Sequence, residues 1–87
     1  MNVTEFLAPQ DWFRPDAGPR YMQLRQRLSD GVRRGILPAG SPLPPEREIA
    51  AITDFSRVTV RKAIQSLAED GTIVQRQGSG SFISPRP

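Results

Sequence analysis

The sequence predicts a mainly α-helical domain of three helices closed by a small β-hairpin. Three observations carry that prediction. Tyr21, Leu24, Leu28 and Val32 recur at helical spacing, Val60, Ala63, Ile64 and Leu67 do so again, and two short β-prone runs flank Gly78-Ser79-Gly80. A chain of 87 residues is one small domain with a core of modest size.

Residues 1–18 read as an N-terminal leader, partly ordered at best. Pro9, Pro15 and Gly18 break any long helix there, and Phe6, Leu7, Trp12 and Phe13 follow no clear period. The extreme terminus is expected to be loose, while Trp12 and Phe13 remain open as an arm that docks on this domain or on a partner. The first helix is placed near 20–34, with Pro19 at its start and Gly35 as a C-terminal cap. Pro38, Gly40, Pro42 and Pro44 then forbid helix, so the segment is an ordered turn with a very short strand at Pro42–Leu43.

The second helix starts at Pro44 or Pro45, which puts Glu46 and Glu48 in its first turn beside the positive end of the helix dipole. Ile49, Ala50 and Ile52 give it a short apolar face. Asp54-Phe55-Ser56 reads as a turn, with Ser56 capping a third helix from Arg57 to Glu69. At about 100° per residue, the stripe from Val60 to Leu67 faces the core and Val58, Thr59, Arg61, Lys62, Gln65 and Ser66 face outward. Asp70-Gly71 ends that helix. Thr72–Gln77 and Ser81–Ser84 follow as the two strands of a hairpin.

Composition removes whole classes of function. The chain has no Cys and no His, which excludes a disulfide framework, a thiol nucleophile, a Ser-His-Asp triad and zinc sites built on those ligands. No metal site and no cofactor is expected. No apolar run approaches the ~20 residues of a membrane span, and the N-terminus lacks the pattern of a signal peptide. The expected location is the cytoplasm. Charge is informative once divided, because the chain is +3 overall but residues 1–18 are acidic, leaving 11 basic against 6 acidic groups in 19–87. Eleven of the twelve basic residues are Arg, whose fork suits phosphates and base edges.

A short helix, a tight turn, a longer helix and a hairpin make the layout of a winged helix-turn-helix. The outward face of the third helix suits a DNA major groove. It opens at a helix N-terminus that attracts phosphate. Arg57 and Arg61 are spaced i, i+4 so that both forks reach one groove. Ser56 and Thr59 offer short hydroxyls, and Val58 points outward where it can meet a thymine methyl group. Each feature alone has a plainer reading. Two arginines can be a solvated helix face, Val58 can pack on the leader, and Gly78-Ser79-Gly80 can be only a hairpin turn.

Five blocks, taken together, resemble the DNA-binding domain of GntR-family bacterial transcriptional regulators, the HutC-like branch most of all. They are Pro19-Arg20-Tyr21, Gly35-Ile36-Leu37-Pro38-Ala39-Gly40, Leu43-Pro44-Pro45-Glu46-Arg47-Glu48-Ile49-Ala50, Ser56-Arg57-Val58-Thr59-Val60-Arg61-Lys62-Ala63 and Arg76-Gln77-Gly78-Ser79-Gly80-Ser81-Phe82. The resemblance runs from about residue 19 to 84, in the family's order and spacing. It implies a DNA-binding domain over 19–84, with 85–87 as the start of a linker to an effector domain. By position, it implies that Arg47 contacts the DNA backbone or a base, that Ser56, Arg57, Thr59 and Arg61 contact the groove and phosphates, and that the wing from Gln77 through Gly78 and Ser79 to Gly80 lies at the adjacent minor groove. Lys62, with a point charge and no fork, is expected on phosphate. Three positions depart from the family pattern: Pro45 stands for a Ser cap, Asp54 for a turn glycine and Thr53 for an apolar residue.

The resemblance further implies a homodimer in the full-length regulator, an inverted-repeat operator, repression as the usual mode, and a metabolite bound by a C-terminal domain that this chain does not include. The chain is expected to be an excised DNA-binding domain or a naturally short regulator. Two other classes fare worse on the residues. A winged helix used for protein contacts calls for abundant acidic or apolar residues on the outward face of the third helix, and that abundance is missing. An enzyme needs an acid–base pair, yet Glu46 and Glu48 sit two apart on a helix and point to different faces.

Overall fold

A computed structural model of the chain describes residues 1–85. Its elements are α1 (Val3–Leu7), a short 3-10 turn (Pro9–Asp11), α2 (Arg20–Arg33), α3 (Glu46–Thr53), α4 (Arg57–Glu69), β1 (Ile73–Arg76) and β2 (Gly80–Ile83). The three expected helices are thus α2, α3 and α4. Of the expected linker at 85–87, only Pro85 lies within the described residues.

The helices form where apolar spacing and terminal chemistry agree. Pro19 sits just ahead of α2, and its carbonyl accepts from the Met22 and Gln23 amides at 3.1 and 3.2 Å. Leu24 and Leu28 from α2 and Val60, Ala63, Ile64 and Leu67 from α4 are buried against each other in one core with Leu37, Leu43, Ile49, Ile73 and Ile83. Arg25 ties the two long helices together at their surface. Its Nε donates to Ser66 Oγ at 2.7 Å and its Nη2 to Asp70 at 2.5 Å. Hydrogen bonds from Thr72, and then the Arg25 charge, hold the Asp70 carboxyl below its ordinary range.

The hairpin is antiparallel, with Ile73 opposite Ile83 and Arg76 opposite Gly80. The first strand is one residue shorter at each end than expected, without Thr72 and Gln77, and the second starts and ends one residue early, at Gly80 and Ile83. The buried Ile73–Ile83 pair anchors its base in the core. The proline-rich turn runs along the outer edge of β2: Pro42 bridges Phe82, and the Leu43 amide donates to the Ser81 carbonyl at 2.9 Å. The short strand at Pro42–Leu43 is therefore present as a bridge.

The leader differs from the expectation of a loose extension. Residues 3–7 are helical, Asn2 caps them by accepting from the Glu5 amide at 2.8 Å, and Phe6 and Leu7 are fully buried. Five residues are too few for a periodic signal, and a helix that short depends on tertiary packing. That packing comes from α2 and α3. Arg27 donates to the Phe6 carbonyl at 2.9 Å and lies over the Phe6 ring, 3.8 Å from its centroid. Burial, with the like charge of Arg34, lowers the Arg27 pKa. Gly31 leaves room for the same ring, since a Cβ there would stand 2.8 Å from Phe6 Cε2 and 2.9 Å from Leu37 Cδ1.

A thermodynamic cycle tests this packing. Glycine in a helix interior costs ~1 kcal/mol relative to alanine, so Gly31→Ala would stabilise an unobstructed helix. Here urea unfolding should show it destabilising the domain. In a Phe6→Ala background, itself destabilised by about 3 kcal/mol, Gly31→Ala should destabilise less, because only the Leu37 contact remains.

Candidate nucleic-acid interface

The site is built on the α3–turn–α4 unit. Pro45 precedes α3 in place of a side-chain cap, and its carbonyl accepts from the Glu48 and Ile49 amides at 2.9 and 3.0 Å. Thr53, at the end of α3, is buried, and its hydroxyl is fully used. It donates to the Ile49 carbonyl at 2.8 Å and accepts from the Phe55 amide at 3.3 Å. A polar residue thus serves where the family pattern has an apolar one. Asp54 takes φ +61°, the single non-glycine residue in the left-handed region among the described residues, a conformation that Asp tolerates better than most residues. Phe55 then turns into the core.

Ser56 caps α4. Its Oγ accepts from the Thr59 amide at 3.1 Å and donates to Thr59 Oγ1 at 2.9 Å. Both hydroxyls expected at DNA are therefore committed to the cap in this structure, and that cap holds the first turn of α4 in place.

A cleft of about 840 Å³ lies between the starts of α3 and α4 and the hairpin. Arg47, Arg57, Arg76 and the wing residues Gln77, Gly78, Ser79 and Gly80 line it, with Glu46 as its acidic member. Arg47 and Arg57 are exposed and hold no ion pair or hydrogen bond among the described residues. Unpaired guanidinium groups beside two helix N-termini make the cleft a strong attractor of anions. Gly78 and Gly80 both have positive φ, +79° and +97°. A side chain at either position would strain the wing tip.

The structure separates the other expected residues from this cleft. Arg61 is turned to Glu46, with Nε and Nη2 each 3.2 Å from Oε1. Lys62 lies over the Tyr21 ring, its Nζ 4.4 Å from the centroid, next to the start of α2. Arg57 and Arg61 do not share the cleft, although the i, i+4 spacing puts them on adjacent turns. Val58 does not pack on the leader and is 67% exposed. Arg76 and Gln75 line the cleft without having been singled out as contacts. The available signal was the place of Arg76 directly ahead of the Gln77-Gly78 turn, on the strand that carries it.

Among the described residues, no group of three or more His, Cys, Asp or Glu side chains stands where it could hold a metal ion. No helix among them is long and apolar enough to cross a membrane. Helix, tight turn, helix and a glycine-tipped hairpin around one basic cleft define a winged helix-turn-helix domain. Residues 20–83 match the family model described as bacterial regulatory proteins, gntR family, and the chain belongs to that family. It is 41% identical over 69 residues to the HTH-type transcriptional regulator YurK of Bacillus subtilis, covering 78% of this chain and 28% of that one. It is also 41% identical over 63 residues to the probable fructoselysine utilization operon transcriptional repressor of Escherichia coli, covering 72% and 26%. Among solved structures, the AraR DNA-binding domain in complex with operator ORX1 aligns with a TM-score of 0.75 at 29% identity, over 83% of this chain and 92% of that one. The chain thus spans just over a quarter of the length of the curated relatives it matches.

The Glu46–Arg61 pair yields a prediction that depends on sign. An exposed pair of this kind contributes ~0.2–1 kcal/mol, so Glu46→Gln should leave the domain folded. It removes the cleft's carboxylate and releases Arg61. Binding to a random-sequence duplex should strengthen, and the log–log salt slope should steepen by about 0.9, one phosphate contact.

Proposed function

We propose that residues 19–84 form the sequence-specific, double-stranded DNA-binding module of a bacterial transcriptional regulator, a metabolite-responsive repressor. The observation that carries this reading is the convergence of Arg47, Arg57 and Arg76 with two helix N-termini and a glycine wing on one cleft. The first turn of α4 enters the major groove, where Arg57 reads the edge of a guanine. Val58 meets a thymine methyl group. Ser56 and Thr59 lie against phosphate or base edges at the capped end, and the Arg61 fork joins them from Glu46's side. Arg47 contacts the backbone or a base. Lys62 acts on phosphate from the α2 side, and Gln77 to Gly80 lie along the adjacent minor groove.

One recognition helix reads too few base pairs for useful specificity, so the working regulator is a homodimer on an inverted repeat. In this reading a separate C-terminal domain binds the metabolite and drives dimerisation, and the protein acts in the cytoplasm. The relatives named as transcriptional regulator and as operon repressor support the assignment, as does the AraR domain bound to its operator. The 87-residue chain should then be mainly monomeric and bind one half-site weakly. A tight dimer in sedimentation without DNA would contradict that division of labour.

Selection of a preferred duplex from a random pool, followed by titration of two variants, tests the reading. Arg57→Ala should cost ~1–3 kcal/mol on the selected duplex and flatten discrimination at one position. Lys62→Ala should weaken all duplexes by a similar factor and lessen the salt slope by about 0.9. Salt-independent affinity in the wild-type chain would overturn DNA binding itself. The two variants exchanging their effects would reverse the roles assigned to them.

A further inference from the structure

The family match begins at residue 20, so the ordered leader lies outside it. The leader runs antiparallel to α2 and is fastened at both ends. At one end Phe6 is held by Arg27 beside Gly31. Further on, the Gln23 side chain accepts from the Arg14 amide at 2.9 Å and donates to the Arg14 and Gly18 carbonyls at 2.8 and 3.0 Å. Between these fastenings, Trp12 and Phe13 reach across to the α3–α4 turn. The Trp12 and Phe13 rings meet Phe55 edge-on, with centroids 5.8 and 5.2 Å away. They also meet each other at 6.4 Å. The Arg20 guanidinium covers the group, 5.4 Å from Phe13 and 5.9 Å from Phe55.

Phe55 is one residue ahead of the Ser56 cap and two ahead of Arg57. Where this ring sits therefore decides where α4 begins and where Arg57 projects. Phe55 follows a left-handed residue in a turn of only three residues, so the backbone there has little redundancy. We infer that Trp12 and Phe13, with Arg20, are positioning residues for the DNA-reading helix: they clamp Phe55 and set the aim of α4. The inference rests on the proposed DNA-binding role of α4. It concerns geometry at the turn, and it is distinct from the stability that Phe6 and Leu7 supply at the far end of α2.

The test uses the complete 87-residue chain, with the duplex selected by the wild-type chain and a scrambled duplex of equal length as probes. Trp12→Leu and Phe13→Leu remove the edge-on ring contacts while keeping an apolar side chain, and Trp12→Phe keeps an aromatic ring. Phe6→Leu is the control, a core change outside the Trp12–Phe13–Phe55 ring cluster. All are measured at a temperature where circular dichroism shows each one folded. Trp12→Leu and Phe13→Leu should lower the ratio of selected to scrambled affinity about tenfold, a change that tenfold steps in Kd resolve easily. Scrambled-duplex affinity should be unchanged, Trp12→Phe should restore most of the ratio, and Phe6→Leu should leave it untouched. A ratio unchanged in both Leu variants, or lowered equally by Phe6→Leu, overturns the positioning role. If a Leu variant does not fold at any temperature, Arg20→Gln, which takes the guanidinium off the Phe13 and Phe55 rings, decides in its place: a lowered ratio with unchanged scrambled-duplex affinity is expected, and an unchanged ratio overturns the role. Failure of the wild-type chain itself to prefer the selected duplex would instead overturn the DNA-binding reading.

Discussion

Phe55 lies almost fully buried in a three-residue turn, and the angle between α3 and α4 follows from where that ring can go. On one side, Asp54 bends the chain through a left-handed conformation and Thr53 holds the Phe55 amide. On the other, Ser56 starts α4 at once. With so short a connection, a shift of the ring is a shift of both helices. The cleft depends on it too, because Arg47 comes from α3 and Arg57 from α4, and only their relative placement brings both guanidinium groups into one basin. The proline turn at 42–45 and the Ile73–Ile83 pair then set the hairpin against that basin.

Charge is distributed unevenly around this frame. The arginines outside the cleft are mostly occupied: Arg25 by Ser66 and Asp70, Arg27 by the Phe6 carbonyl and ring, Arg61 by Glu46. Arg47 and Arg57 have none of these partners. A domain that neutralises its structural arginines and leaves two forks unpaired beside helix N-termini concentrates its positive potential on one face. Arg61 holds an intermediate place, since its partner Glu46 lines the cleft and its side chain is still 48% exposed. It can turn from carboxylate to phosphate at little energetic cost, because an exposed pair is weak.

The three main helices, their caps and the hairpin were legible in the sequence because each is marked locally. Apolar residues recur at helical spacing, Ser56 and Gly71 stand at ends, and glycines stand at the wing tip. The Asp54 turn was legible for the same reason. What the sequence did not reveal depends on partners far along the chain. Phe6 and Leu7 carry no period, and the groups that meet Phe6, the Arg27 side chain and the bare backbone of Gly31, lie more than twenty positions away from it. The split between Arg57 and Arg61 was likewise hidden. Helical spacing gives the direction of a side chain's first bonds, but the destination of an arginine fork is decided by which carboxylate is near, here Glu46. Lys62 shows the same limit, since the Tyr21 ring that receives it sits on another helix.

Backbone chemical-shift mapping during titration with duplex DNA addresses the central claim most directly, that the cleft between α4 and the hairpin is the surface that meets DNA. The largest changes should fall on the amides of Arg47, Arg57, Val58 and Thr59 and on Gln77 to Gly80, with Lys62 and Tyr21 as a second, salt-sensitive group. The second hollow, lined by Ser29, Arg33, Gly71 and Thr72 and sharing no residue with the cleft, should stay still. Changes concentrated on that second hollow, with the cleft silent, would contradict the claim.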